Sequence, residues 1–220
     1  MALRQSAVVP KGAVELDQVQ ATNYVWELVS QWESLSDTWA LRYASVALGG
    51  MSALSGIIIN DHYRKKLKLG NFGFFSSVIP ISVMPGLLTA LFHRHIVSTE
   101  MLLMRKEACP LCYELRSAGI QWGLGIAYPM VLGPTSALMF ANRYSTYRVP
   151  NLIEGPKVVF QFLGKLTKPF YSTLVYLGAF QLVLSSVLTY FEMKNHISMR
   201  VKILEIEEKV MAEHVRKVTI

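Results

Sequence analysis

Four apolar segments, each close to the length that crosses a lipid bilayer, constrain this chain more than any other feature. They run over Tyr43–Asn60, Phe72–Phe92, Ala118–Ala141 and Phe170–Phe191, and none contains Asp, Glu, Lys or Arg. A membrane helix needs about 20 mostly apolar residues at a rise of 1.5 Å each. A surface helix of a soluble protein carries charge on its outer face. Uncharged stretches of this length leave the bilayer as the solvent. The sequence predicts an all-α polytopic membrane protein with four transmembrane helices and amphipathic helical flanks at both ends. Residues 1–42 form the N-terminal flank, 43–192 the membrane domain and 193–220 a polar C-terminal helix.

Charge bears on partners. The chain has a net charge of +7, which on its own could suggest nucleic acid. The distribution argues for lipid instead. The stretch Met1–Arg42 holds three bases against five acids. The connector Asp61–Asn71 holds Arg64, Lys65, Lys66 and Lys68 against Asp61, and Asn142–Pro169 holds Arg143, Arg148, Lys157, Lys165 and Lys168 against Glu154. Basic charge between membrane segments is what the positive-inside effect and lipid headgroups produce. With four crossings, both flanks and the middle connector share one side. The two basic connectors face the cytoplasm or, in a mitochondrial inner membrane, the matrix. The first 30 residues lack an apolar signal core, and Glu15, Asp17, Glu27, Glu33 and Asp37 spoil a presequence, so a mitochondrial address would be internal.

The flanks carry helical periodicity. Over Asn23–Trp39, Val25, Leu28, Val29, Trp32, Leu35 and Trp39 share one face. Such a helix either lies on the membrane or docks a soluble partner. Ile203, Ile206 and Val210 repeat along the polar tail with the same two readings. The candidate docking set is therefore Val25, Leu28, Trp32, Trp39, Ile203, Ile206 and Val210.

Within the first crossing, Gly49 with Ala53 and Ser52 with Gly56 form small-x3-small pairs, which let helices approach closely. They pack within the chain or against another protein. Pro80, Pro85, Pro129 and Pro134 predict kinks in the second and third crossings. Paired kinks can mark a transport path. Such a path also wants charged or strongly polar residues at mid-membrane, and the cores of the crossings offer only Ser, Thr, Gln121 and Gln181. A small-solute transporter stays open as an alternative function.

Cys109-Pro110-Leu111-Cys112 is the densest local motif. Cys-x-x-Cys at a helix start occurs in thiol oxidoreductases, but the soluble α/β context is missing. Two cysteines do not complete a zinc site, and His93 and His95 lie at no standard spacing from them. A structural disulfide, a membrane thiol-redox function and two reduced cysteines all remain possible. No phosphate loop, nucleophile elbow or metalloprotease motif is present, so no enzyme activity, metal or cofactor is expected. His62, His93, His95, His196 and His214 lie outside the apolar segments and read as solvated residues near headgroups. Arg143-Tyr144 and Lys168-Pro169 read as interface anchors.

The run CPLCYELRSAGIQWGLGIAYPMVLGPTSALMFANRY resembles the transmembrane protein 126 family. The matching positions are Cys109, Cys112, Arg116, Ser117, Tyr128, Pro129, Arg143 and Tyr144, without a gap over 36 residues. Looser similarity extends to Arg64, Lys65, Lys66 and Thr167-Lys168-Pro169. The resemblance implies a multi-pass protein of the mitochondrial inner membrane that acts as an assembly factor for respiratory complex I. One vertebrate paralogue works in the intermediate-assembly machinery with an acyl-CoA-dehydrogenase-like protein and a signalling-adaptor protein. Another supports a distal membrane-arm module. The family offers no catalytic residues to carry over.

Overall fold

The computed structural model of the chain describes residues 16–103, 109–150 and 156–218. Glu15 and Glu154, used in the charge argument, lie outside them, as does the side chain of His214. Every regular element among the described residues is helical. Among the described residues four helices are long and apolar enough to cross a membrane.

The first helix, α1 (Gln18–Gln31), opens where the Gln20 side chain accepts a hydrogen bond from the Asp17 amide at 3.2 Å. It stops before the one-helix reading over Asn23–Trp39 is complete. Trp32 turns extended, a 3-10 turn covers Leu35–Asp37, and α2 (Trp39–Lys66) begins. The guanidinium of Arg42 explains the break. It donates to the Val29 carbonyl at 2.7 Å and the Trp32 carbonyl at 2.8 Å. Those carbonyls are orphans of a helix end, and a cation there also meets the negative pole of the helix.

The second crossing is α3 (Phe74–Leu102) and the third is α4 (Pro110–Tyr144). Both contain π-helical turns: Ile79–Val83 and His93–Ser98 in α3, Gly123–Ala127 in α4. Pro80 sits inside the first, and Pro129 follows the third. A proline lacks the amide that the regular ladder needs, and a widened turn accommodates the missing bond. The turn at His93–Ser98 contains no proline. There the Thr99 hydroxyl donates to the Arg94 carbonyl at 2.8 Å. A short amphipathic helix, α5 (Pro156–Thr167), precedes α6, an unbroken helix of 48 residues from Tyr171 to Val218. The fourth crossing and the polar tail are thus one rod.

The α2 helix sits centrally, touching α3, α4 and α6. Glycines bring α2 and α3 into backbone contact. A Cβ on Gly49 would lie 2.6 Å from the Gly86 carbonyl oxygen, and one on Gly56 would overlap the Ile81 carbonyl. Ser52 and Thr89 hydrogen-bond across the same seam at 3.0 Å. The small-residue face of Gly49, Ser52, Ala53 and Gly56 is therefore used inside the bundle. Outward, Val46, Leu54, Leu87, Val131, Met139 and Val183 are exposed, an apolar belt suited to lipid.

At the basic end, Arg64 departs from its expected role as a headgroup cation. It is 4% exposed and donates to the carbonyls of Gly70 and Phe72 at 2.8 and 2.9 Å and to Ser77 Oγ at 2.9 Å. The α2–α3 turn presents unpaired carbonyls, and one guanidinium satisfies them. Tyr63 hydrogen-bonds Thr167 at 2.7 Å, and His62 stacks on Phe170 at 4.1 Å, anchoring the start of α6.

Candidate functional site

At the opposite end of the bundle three crossings meet around two ionisable side chains. His93 of α3 and Glu192 of α6 are 1% and 0% exposed, with Nε2 3.0 Å from the carboxylate. The other carboxylate oxygen accepts from Ser98 Oγ at 3.0 Å, and Ser117 Oγ of α4 lies 3.3 Å from His93 Nδ1. Val97, Met101, Tyr113, Ile120 and Met193 form an apolar cluster from the same stretches of α3, α4 and α6. With Glu192 ionised, the imidazole Nε2–H donates to it and Nδ1 accepts from the Ser117 hydroxyl, so each group has a partner. A charge buried away from water requires that pairing.

This finding corrects the reading of the histidines as solvated. His93 is buried because α3 does not end at Phe92. Ile96, Val97, Met101 and Leu102 carry the apolar helix a further two turns, placing His93 inside it. His62 is half-buried against Phe170, and His196 is half-buried with its Nδ1 enclosed and without a partner. His95 is exposed as expected. The order serine, histidine, carboxylate resembles a hydrolase triad, but Ser117 is 1% exposed and no substrate reaches it in this arrangement. What the cluster does is tie α6 to α3 and α4.

The tie continues along α6. Gln181, Ser185, Thr189 and Glu192 recur every three or four residues on the buried face. Gln181 donates to Ser55 Oγ, and Gln121 of α4 donates to the Leu48 carbonyl at 3.3 Å. The amide oxygen of Asn195 accepts from the Trp39 and Ala40 amides at 3.3 and 3.0 Å, capping α2. Trp39 packs on Phe191 at 5.4 Å. Beyond the bundle, Lys202 pairs with Asp37, holding that carboxyl below its usual value.

Several proposed docking residues turn out to be used internally. Val25 and Val29 pack with Leu41, Leu102 and Met199, and Trp32 and Ile203 lie against that cluster. Trp26 Nε1 donates to Thr99 Oγ1 at 3.0 Å, with the Arg94 guanidinium 4.0 Å from its ring. Leu28 is half-buried. Ile206 and Val210 stay open, 54% and 59% exposed.

The motif positions divide by role. Ser117 belongs to the buried cluster. Arg116 pairs with Glu100 at the end of α3. Tyr128 and Pro129 restart the α-helix after the π turn, with Pro129 buried. Arg143 is exposed, and Tyr144 stacks on Phe72 at 4.9 Å. Cys109 and Cys112 are free and exposed. Among the described residues no group of three or more His, Cys, Asp or Glu is placed to hold a metal. Sequence reasoning missed the pairing of His93 with Glu192, which are 99 positions apart.

Together these features define a four-span helical membrane protein whose last helix is held by a buried polar seam. A family model described as Transmembrane protein 126 matches residues 22–209. The chain belongs to that family. It is 37% identical to Transmembrane protein 126 of Drosophila melanogaster over 206 residues, covering 94% of this chain and 92% of that one. It is 28% identical to Transmembrane protein 126A of Mus musculus over 153 residues, covering 70% and 75%. No solved structure matches.

Proposed function

We propose that the protein is a non-catalytic assembly factor of the mitochondrial inner membrane, holding membrane-arm intermediates of respiratory complex I and recruiting soluble assembly proteins. Family membership, with what resemblance to that family implies, supports the reading. The structural observation that carries it is the division of labour along α6. Met199 and Ile203 pack with Val25, Val29, Leu41 and Leu102 of α1, α2 and α3, while Ile197 and Val201 stay open. Beyond, Ile206, Val210 and Met211 stay exposed on an otherwise polar helix, an edge suited to a soluble partner. An acyl-CoA-dehydrogenase-like protein and a signalling-adaptor protein are the partners the resemblance offers. The membrane-arm subunits would meet the lipid-facing sides of the crossings. Interfaces there lack a hydrophobic driving force, which suits a factor that must release its client.

Native-gel complexome profiling of mitochondria with the protein tagged, then depleted, tests this. Co-migration with partial complex I species, and loss of mature complex I on depletion, is the expected result. Migration as a lone small species with complex I intact overturns it and directs attention to solute flux in reconstituted vesicles.

A further inference from the structure

Neither the bundle nor the proposed scaffold uses Cys109 and Cys112. Both thiols are free and exposed. Cys109 is the N-cap of α4, with extended backbone (φ −63°, ψ 141°), and Pro110 begins the helix. The Cys112 amide, in the first turn, donates to the Cys109 carbonyl at 2.9 Å. Side chains at this spacing in a regular helix have Cβ atoms roughly 5–6 Å apart. A disulfide needs about 3.5–4.5 Å. As the N-cap, Cys109 has ψ 141° rather than a helical value, so its Cβ is not at the helical position and that spacing does not apply to the pair. The turn itself is fixed. Arg116 pairs with Glu100, and the Tyr113 hydroxyl donates to the Glu100 carbonyl at 3.4 Å, holding it against the end of α3.

The two thiols are not equivalent. The amides of Cys112 and then Leu111, at the helix start, hold the Cys109 thiol below its ordinary pKa, although its side chain makes no capping hydrogen bond. Cys112 lies within the first turn of the helix.

We infer that Cys109 and Cys112 form a thiol–disulfide exchange site, with Cys109 attacking an accessible disulfide and Cys112 resolving the adduct. The Cys109 thiolate attacks one sulfur of R–S–S–R. A bond forms from Cys109 to that sulfur, the R–S–S–R bond breaks, and R–S⁻ leaves. Cys112 gives its proton to solvent and attacks the Cys109 sulfur, releasing the second R–S⁻. The chain ends as the Cys109–Cys112 disulfide, having given two electrons to the co-reactant, which takes up two protons and leaves as two thiols. The site lies at the same end of the bundle as α1 and the buried His93–Glu192 pair. It needs no turnover on complex I and stands whether or not the scaffold reading does.

The test uses the full chain in lipid nanodiscs, equilibrated in glutathione buffers of graded ratio and trapped with a large maleimide. The expected result is joint loss of both thiols to one intramolecular disulfide. Cys112→Ser should accumulate a glutathione adduct on Cys109, and Cys109→Ser should form its adduct several-fold more slowly. A second arm replaces glutathione disulfide with an oxidised Cys-x-x-Cys oxidoreductase. Faster exchange at equal disulfide concentration assigns the co-reactant to a protein, and slower exchange to a small thiol. Two independent glutathione adducts on the wild-type chain, or equal rates for the two single variants, overturn the proposal. Both positions are exposed, so unchanged melting temperatures show that the variants fold.

Discussion

The α2–α3 seam and the seam holding α6 solve the same problem by different chemistry. The first relies on absent side chains: Gly49, Gly56 and Gly86 bring carbonyl against Cα. The second relies on polar side chains: Gln181, Glu192 and Asn195 reach neighbouring helices. Burial follows the division. The most apolar window of α2 is 50% buried, and that of the fourth crossing only 22%. A helix with little packed surface needs hydrogen bonds to fix its place, and hydrocarbon offers those groups no alternative partner.

The largest test of this contrast is the buried pair. His93→Leu leaves the Glu192 carboxylate with Ser98 alone, and losing one partner of a buried pair costs about 3–5 kcal/mol. His93→Leu combined with Glu192→Leu should cost less than either change alone. Denaturant unfolding in micelles reads the cycle, and simple additivity would break the comparison. Next comes the glycine seam. Gly56→Ala should destabilise by roughly 1–3 kcal/mol through overlap with the Ile81 carbonyl. Gly50→Ala meets nothing within 4 Å and should stabilise by about 0.5–1 kcal/mol. Matching signs in thermal melts would show that the seam is looser than the glycine contacts indicate. Smaller again is Gln181→Leu, which loses the bond to Ser55 but also removes an amide oxygen that has no partner. A cost near 0.6 kcal/mol, the membrane average, is expected in the same unfolding assay. The smallest effect lies outside the bilayer. The Lys202 contact lowers the Asp37 pKa, so its contribution is complete above the ordinary carboxyl value of 3.8 and is lost as pH falls through the lower folded value. Hydrogen exchange around Ser198–Lys202 should rise over that window in the wild type and already be high in Asp37→Asn.

Much of the fold is legible in the sequence for a physical reason. Charge cannot hide on a lipid face, so four uncharged stretches announce four crossings. Pro110 after Cys109 marks the start of α4, because a proline at the first helical position loses no bond. Pro80, Pro85 and Pro129 lie in or just after π turns, Pro134 lies within a regular α-helix, and the π turn at His93–Ser98 has no proline. The end around His93 and Glu192 is harder to read. His93 and Glu192 each sit at the edge of an apolar segment, where a polar residue ordinarily signals water. Only the apolar stretch beyond His93 hints that α3 continues. In the sequence Arg64 reads with its neighbours as a surface cation, because its partners are mostly backbone carbonyls, which no side-chain pattern records. The docking face of α1 was visible as a face. Its occupants, Leu102 and Met199, come from distant parts of the chain.

The unbroken α6 has a consequence for reach. From Lys194 to Val218 it runs 25 residues, roughly 37 Å at 1.5 Å each. Because it shares a backbone with the fourth crossing, its azimuth is set inside the membrane. Each residue turns the rod by about 100°, so the compass bearing of Ile206 and Val210 is fixed by where Glu192 meets His93. The arm works as a ruler and a pointer together, setting both how far its exposed apolar edge reaches and which way that edge faces.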